Sequence, residues 1–231
     1  MKVAIMKPYF LPYIGYWQLM NKVDLWVVFD DIQFINKGWI NRNRILHPDK
    51  RKEWNYITIP LKNRKQKDKI CNTLIDNSRN WKLELIGKLD FYKNIAPYYK
   101  ETVHILNECF NFKDLNLSNF VINSILQIKF VLDIKTKLII QSKDLGRIHP
   151  VKHAGQWALE ICKLVGAKEY INPIAGESIF KKEEFNDHGI TLSFFEHNIF
   201  EYQQFDRDFV SGLSILDLFM FNNLPKIKSY L

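Results

Sequence analysis

A loop rich in aromatic residues near the start of the chain carries the first candidate chemistry. Two prolines stiffen it, and a glycine near its end permits close approach of a ligand to the backbone. Its residues suit a substrate with an anionic group, but the same aromatic side chains could instead pack a helix onto a sheet. The sequence leaves both interpretations open. The binding candidates in this loop are Lys7, Pro8, Tyr9, Tyr13, Gly15 and Tyr16.

Two adjacent acidic residues, Asp30 and Asp31, follow the second apolar run of the chain. An acid at the end of an apolar strand can hold a ribose hydroxyl, bind a metal or act as a general base. The alternative is a loop carboxylate that caps a helix or pairs with an arginine. We favour the functional interpretation and predict both as catalytic candidates, with the nearby Gln33 as a substrate contact.

A segment with two arginines comes next. Arg42 and Arg44, with Asn41 beside them, suit bidentate recognition of phosphate or carboxylate. Salt bridges from these arginines to the acidic pair are the structural alternative. Polar residues also follow two later apolar runs, and they complete the predicted binding residues: Ser142, Lys143, Asn172 and Gly176.

Known metal and cofactor motifs are missing from the sequence. His149 and His153 have a spacing that could suit a metal on a helix, but a proline lies between them and no third ligand is evident, so no metal site is predicted. Cys71, Cys109 and Cys162 lie far apart without CxxC spacing, which favours buried, reduced thiols. The absence of Walker A, GxGxxG and GxSxG motifs argues against P-loop kinases, ordinary dinucleotide enzymes and α/β-hydrolases. The sequence names no cofactor.

The elements that must position these residues begin with strand, loop, helix and strand. Residues 2–6 and 24–29 are short apolar runs typical of buried strands, and a helix is predicted over 14–20. This order indicates a parallel sheet. We expect an α/β fold with a mostly parallel, Rossmann-like sheet, as a single domain over residues 1–231 with a helical insertion at about 79–133. Further strands are predicted at 54–59, 137–140, 168–171 and 190–195, and further helices at 153–165 and near 178–187.

The composition excludes several classes of protein. The 231 residues include 33 basic and 25 acidic side chains, for a net charge of +8, and 47% are hydrophobic, as in a soluble globular protein. The densest basic stretch, residues 62–69, lacks interleaved aromatics and suits a solvated loop, so a nucleic-acid partner is not expected. No apolar run is long enough to span a membrane or to form a signal peptide, and we expect a cytoplasmic protein.

These segments, in this order, resemble the WbqC-like family. Residues 7–16 match the family's opening loop, residues 30–34 its Asp-Asp-x-Gln-aromatic segment, and residues 39–45 its Trp-x-Asn-Arg segment. Thr58–Pro60, Gly166–Tyr170, Gly176, residues 185–190 and Leu213–Asp217 also resemble the family. One position departs from the pattern, because Lys7 stands where the family usually has glutamine.

The resemblance implies a role in bacterial surface-polysaccharide assembly, as in O-antigen and lipopolysaccharide, with members regarded as glycyl-type transferases. It supplies no catalytic residues. With the residues above, it predicts a transferase that adds an acyl or aminoacyl group to an amino sugar, and the small-molecule partner is expected to be a nucleotide-linked sugar. In this hypothesis Asp30 or Asp31 is the base, and Lys7, Arg42 or Arg44 binds the diphosphate.

A second resemblance leads to an alternative function. Tyr13-Ile14-Gly15-Tyr16 is similar in spacing and context to the His-x-Gly-His motif of HIGH-type nucleotidyltransferases, with both histidines replaced. Tyrosine can hydrogen-bond a phosphate but is a poor proton donor at its ordinary pKa near 10. The resemblance implies a shared fold and a nucleotide-binding enzyme, with Ser142 and Lys143 on the phosphate side. A non-enzymatic scaffold or RNA-binding module is a third alternative.

Overall fold

Five parallel strands form the central sheet of the computed structural model, which describes residues 1–65, 67–146, 148 and 150–231. The predicted α/β fold with a mostly parallel, Rossmann-like sheet is confirmed. A separate antiparallel hairpin, β3–β4, lies outside this sheet. In chain order the strands are β1 (Lys2–Met6), β2 (Leu25–Val28), β3 (Arg42–Leu46), β4 (Trp54–Thr58), β5 (Lys137–Ile140), β6 (Glu169–Pro173) and β7 (Thr191–Phe195).

The strand order places a change of direction at the centre of the sheet. The order is β5-β2-β1-β6-β7, with every neighbouring pair parallel. From β1 the chain builds outward through β2 to β5, whereas from β6 it builds outward to β7 on the other side. The point between β1 and β6 is therefore the topological switch point, where open α/β sheets bind ligands beyond the carboxyl ends of their strands.

Nine named helices occur in the described residues. They are α1 (Ile14–Asn21), α2 (Trp81–Leu89), α3 (Tyr99–Phe110), α4 (Leu117–Val131), α5 (Gln141–Asp144), α6 (Gln156–Val165), α7 (Lys182–Asn186), α8 (Ile215–Phe221) and α9 (Leu224–Ser229), with 3-10 turns at Ile70–Asn72, Asp90–Asn94 and Ile174–Ile179. The longest, α4, has 15 residues, fewer than the roughly 20 that a bilayer-spanning helix requires. Among the described residues, no helix is long and apolar enough to cross a membrane.

Several predicted elements differ from the observed ones, and helices α5, α8 and α9 were not predicted. The strand predicted at 54–59 exists, but it pairs antiparallel with β3, which the sequence analysis did not predict. The helix expected from residue 153 begins at Gln156, and the helix expected near 178–187 is the shorter α7 preceded by a 3-10 turn. Helices α2, α3 and α4 lie between β4 and β5 in the chain, and we propose that they are an insertion into a single α/β domain.

Alternation along the strands gives the sheet an apolar core on each face. In β1, Ala4 packs into one core with Trp17 of α1, whereas Val3 and Ile5 pack into the other with Leu159 of α6. Successive side chains of a strand point to opposite faces, so a strand buried on both faces must be apolar throughout. The sheet thereby holds α1 on one face and α6 on the other, on either side of the switch point.

Candidate functional site

A cavity of about 720 Å³ lies at the carboxyl ends of β1, β6 and β7. Its volume is within the range usual for small-molecule sites, roughly 300–1,000 Å³. The lining comes from both faces of the sheet, with Leu19 of α1 on one side and Ala158 of α6 on the other. We call it the switch-point cavity.

One group of the predicted site residues lines this cavity. They come from the aromatic loop, the hairpin strand β3 and the chain that follows β6. Pro8 belongs to the same loop, but it is buried and is not among the lining residues. The predicted residues that line the cavity are Lys7, Tyr9, Tyr13, Gly15, Tyr16, Arg44, Asn172 and Gly176.

Hydrogen bonds from distant side chains fix the shape of the aromatic loop. Leu11 has a left-handed backbone, with φ of 47°, which is strained for a residue with a branched side chain. Its carbonyl oxygen accepts hydrogen bonds from Asn43 Nδ2 at 2.9 Å and from Ser214 Oγ at 2.8 Å. Asn43 Nδ2 also donates to the carbonyl oxygen of Phe10 at 2.9 Å. Strand β3 and the start of α8 therefore hold the loop open as a rigid cavity wall.

The close approach that Gly15 permits is to another part of the protein. A Cβ atom at this position would lie 2.8 Å from His197 Cβ and 2.5 Å from Tyr13 Cε2, too close for any side chain. The rings of Tyr13 and His197 meet edge to face, with centroids 5.1 Å apart. His197 follows β7, lines the cavity and makes no described hydrogen bond through its imidazole. Glycine therefore allows a histidine to sit against the first turn of α1.

The cavity carries positive charge without a matching carboxylate. Lys7 is half-buried, and burial lowers the pKa of its ammonium. Among the described residues no hydrogen-bond or ion-pair partner faces it, and no aspartate or glutamate lines the cavity. Arg44 Nε is buried without a hydrogen-bond partner, while one Nη donates to the carbonyl oxygen of Gly212 at 3.3 Å. The guanidinium also lies over the rings of Trp39 and Trp54, at 5.1 and 5.3 Å from their centroids. Two half-buried cations without a carboxylate partner among the described residues favour an anionic ligand.

The tyrosines of the loop line the cavity and can donate hydrogen bonds, but they cannot act as general bases. Tyr16 is buried, its hydroxyl donates to the carbonyl oxygen of Lys7 at 3.3 Å, and burial raises its pKa far above the usual value. Burial also raises the pKa of Tyr9 and of Tyr13. All three hydroxyls are therefore protonated at neutral pH, so they cannot accept a proton from a substrate.

The second group of predicted residues lies at the carboxyl ends of β2 and β5, outside the cavity lining. The carboxylate of Asp30 is buried and accepts three hydrogen bonds, from Ser118 Oγ at 2.9 Å, Ser142 N at 3.0 Å and Ser142 Oγ at 2.7 Å. It thereby joins β2 to α4 and α5. We call this arrangement, with the neighbouring Asp31 and Lys69, the strand-end cluster.

Asp31 is more accessible, with 33% of its side chain exposed. Its Oδ1 lies 2.6 Å from Lys69 Nζ and accepts a 3.6 Å hydrogen bond from the thiol of Cys71. Burial, together with the two nearby carboxylates, raises the pKa of Cys71 to about 11, so the thiol is protonated and is a poor nucleophile. The cationic partner of Asp31 is thus a lysine and not one of the predicted arginines.

The remaining predicted residues bind other parts of the protein. Asn41 Nδ2 donates to the carbonyl oxygen of Ile59 at 2.9 Å, and Lys143 Nζ donates to Asn119 Oδ1 at 2.8 Å. Arg42 Nε donates to Gly38 at 3.2 Å, with its guanidinium over the Tyr56 ring. The exposed Gln33 forms an isolated β-bridge with Lys69. Their substrate-binding roles stay predictions.

The structure describes one histidine of the pair that was considered for a metal. His149 lies outside the described residues, and His153 Nε2 lies 3.0 Å from a carboxylate oxygen of Glu184. Within residues 1–65, 67–146, 148 and 150–231, no group of three or more histidine, cysteine, aspartate or glutamate side chains is arranged to hold a metal ion.

Three residues that shape the cavity were not predicted: Asn43, His197 and Ser214. Asn43 and Ser214 act on the backbone of a loop far away in the chain, and nothing in their local sequence indicates that contact. His197 could have been predicted, because it follows a predicted strand as Asn172 does. A polar residue after any strand of a parallel sheet is a candidate for the ligand site.

The comparisons with known proteins give a family and a distant relative. The WbqC-like protein family matches the chain over residues 7–229. A Mycobacterium tuberculosis protein named "Uncharacterized protein Rv1507c" is 27% identical over 243 aligned residues, covering 100% of this chain and 97% of that protein. No solved structure matches the chain.

Proposed function

The chain belongs to the WbqC-like protein family, and we propose that it is a transferase that adds an acyl or aminoacyl group to a nucleotide-linked amino sugar in the assembly of a bacterial surface polysaccharide. The observation that carries this proposal is the switch-point cavity, where no carboxylate of residues 1–65, 67–146, 148 and 150–231 pairs with Lys7 or Arg44. A diphosphate carries two negative charges within one small molecule, so it suits a cavity that contains two cations without carboxylate partners.

The first turn of α1 adds to this preference for an anion. No side chain caps the helix N-terminus at Tyr13, and no acidic residue lies in the first turn. The free amide groups and the helix dipole therefore favour negative charge at this end of the cavity. Around it, the aromatic faces of Tyr9, Tyr13 and Trp39 offer stacking surfaces for a sugar or a base.

The transfer itself needs a proton acceptor. The amine nitrogen of the sugar attacks the acyl carbonyl carbon, and a carbon–nitrogen bond forms as the bond from that carbon to its leaving group breaks. The leaving group departs with the electron pair, and the proton of the amine passes to a base. Asp30 and Asp31 are the candidates from the sequence. We add His197, which lines the cavity and whose neutral imidazole has a ring nitrogen that can accept a proton.

Binding of the sugar nucleotide is the first test. We expect UDP-glucosamine, used as a probe of the substrate class, to raise the melting temperature of the purified protein. Lys7→Met should abolish most of that shift, because it removes an unpaired cation from the cavity. Lys100→Met, which changes an exposed lysine of α3, is the matched control and should keep the shift. A shift of equal size in Lys7→Met, or no shift in the native protein at millimolar probe, contradicts the proposal.

The alternative of a nucleotide-binding or nucleotidyltransferase-like enzyme has one specific observation in its favour. The parallel sheet has the strand order of a doubly wound nucleotide-binding fold, and Gly15 stands in the first turn of the helix after β1. This alternative expects ATP or CTP, without any sugar, to raise the melting temperature, and it expects the chain to release pyrophosphate from one of them. Saturable binding of the sugar nucleotide with no response to ATP or CTP excludes it.

A further inference from the structure

The side of the switch-point cavity nearest α6 is lined by apolar side chains. We call this part the α6-side chamber. It contains two pairs of aromatic rings: the centroids of Phe29 and Trp157 lie 6.2 Å apart, and those of Tyr170 and Phe180 lie 5.4 Å apart. The residues that define the chamber are Phe29, Trp157, Ala158, Tyr170, Ile179 and Phe180.

The polar groups of this chamber are already used within the protein. Asn172 Oδ1 accepts a hydrogen bond from the Tyr170 hydroxyl at 2.9 Å, and its Nδ2 donates to the carbonyl oxygen of Pro173 at 2.8 Å. Acidic side chains on the neighbouring segments are also hydrogen-bonded or exposed. Asp30, which follows Phe29 in the chain, accepts hydrogen bonds from two serines. Glu184 is bound by His153, and Glu177, on the adjacent 3-10 turn, is exposed and does not line the cavity.

The apolar lining of the chamber favours a hydrocarbon acyl group over an aminoacyl group. An aminoacyl group brings an ammonium, which here would lose its water without meeting a carboxylate. Ring faces attract a cation too weakly to replace that hydration, and Lys7 and Arg44 repel it. A hydrocarbon chain, in contrast, gains from every methylene group that the chamber removes from water.

We propose that the α6-side chamber binds the hydrocarbon chain of the acyl group that is transferred, so that this group is an apolar acyl group and not an aminoacyl group. Binding of the hydrocarbon chain follows from the chamber alone, and only its transfer to an acceptor rests on the proposed function. The reaction is then the acyl transfer written above, with an alkyl chain on the attacked carbonyl carbon.

Calorimetric titration with three alkyl phosphates tests the inference. Butyl phosphate, octyl phosphate and 8-aminooctyl phosphate share one anionic head and differ in chain length or in a terminal ammonium. Burial of a methylene group tightens Kd by roughly fourfold at most, so we expect octyl phosphate to bind at least roughly tenfold more tightly than butyl phosphate. We expect 8-aminooctyl phosphate to bind at least roughly tenfold more weakly than octyl phosphate.

A matched pair of variants locates the effect. Ile179 lines the chamber and is 49% exposed, whereas Ile174, on the same 3-10 turn, is 42% exposed and does not line it. Ile179→Asp should remove most of the gain from chain length and narrow the gap between the two octyl compounds. Ile174→Asp adds the same charge beside the chamber and should leave both ratios as in the native protein.

The outcomes separate this inference from the proposed function. Equal affinity for octyl and 8-aminooctyl phosphate, or no gain from butyl to octyl, including no binding of either, overturns the inference whatever UDP-glucosamine does. If the gain from chain length holds but Lys7→Met leaves the affinity for octyl phosphate and UDP-glucosamine unchanged, the anion site of the proposed function fails and the apolar chamber stands.

Discussion

The switch-point cavity and the strand-end cluster lie at carboxyl ends of the same parallel sheet, and both contain polar residues that the sequence marks as functional. They differ in how those residues are satisfied. In the strand-end cluster Asp30 accepts three hydrogen bonds and Asp31 pairs with Lys69. In the cavity, the described part of the chain offers Lys7 no hydrogen-bond or ion-pair partner for its ammonium, and Arg44 Nε is buried without a hydrogen bond. Buried groups with complete sets of partners hold a fold together, whereas incomplete ones indicate a ligand.

Replacing the proton acceptor should give the largest difference in reaction rate between variants of the two regions. If the cavity is the reaction site, His197→Gln should lower the rate of acyl transfer to UDP-glucosamine by about 10²-fold or more, the usual contribution of a general base. Asp31→Asn should change that rate by less than about threefold, because its carboxylate lies outside the cavity lining. The measurement is the initial rate with an acyl thioester as donor. The reverse pattern would make the strand-end cluster the reaction site.

Removal of the carboxylate of Asp30 should act on stability. Asp30→Ala leaves the hydroxyls of Ser118 and Ser142 and the Ser142 amide without their acceptor, so we expect the free energy of unfolding to fall by about 3 kcal/mol. Urea denaturation at pH 7 measures it. Asp31→Asn, at a partly exposed ion pair, should cost less than about 1 kcal/mol. A native stability for Asp30→Ala, combined with loss of ligand binding, would assign Asp30 to the site and break the comparison.

A second buried carboxylate, Asp217, supports the rim of the cavity through Tyr202, a lining residue. It accepts hydrogen bonds from the hydroxyls of Tyr92 at 2.5 Å and Tyr202 at 2.7 Å and from Gln204 Nε2 at 2.8 Å. Burial raises its pKa to about 6 although these donors oppose the shift. This carboxyl therefore differs from Asp30, because its charged form is only partly compensated by hydrogen bonds.

The sign of the resulting pH dependence follows from the raised pKa. The folded state binds the proton of Asp217 more tightly than the unfolded state, whose pKa is about 3.9. The stabilisation is therefore fully present below about pH 4 and is lost as the pH rises through about 6. We expect native protein to lose about 2 kcal/mol relative to Asp217→Asn between pH 4.5 and 7.5. A constant difference between the two unfolding free energies over this range would contradict the assignment.

Lys7 should give the smallest effect, and one confined to binding. Lys7→Met should weaken UDP-glucosamine binding by roughly tenfold, the loss of one charge-assisted contact, and should leave the free energy of unfolding within about 0.5 kcal/mol of the native value. Calorimetric titration and urea denaturation measure the two quantities. If Lys7→Met instead destabilises the protein as much as Asp30→Ala does, the ammonium is structural and the contrast between the regions disappears.

Local patterns predicted much of the fold but could not separate these regions. Apolar runs with polar ends marked the strands of the parallel sheet, and residue type and position marked Lys7, Gly15 and Arg44, which line the cavity. The same kind of pattern marked Asp30 and Ser142, which form a hydrogen bond with each other. Whether two polar groups meet depends on helix and strand packing over separations such as the 112 residues between this pair.

The sequence by itself determined the α/β class, the family and the concentration of aromatic residues at the first loop, because these depend on local periodicity and on neighbouring residue types. Only the tertiary structure decided which charges stay unpaired. Folding brings Asn43 and Ser214 within hydrogen-bond distance of the carbonyl oxygen of Leu11, whose backbone is strained. It also packs His197 against Gly15 and brings two serines from other elements to the carboxylate of Asp30. Burial and hydrogen-bond satisfaction are properties of packed elements, and the spacing of residues along the chain does not encode them one by one.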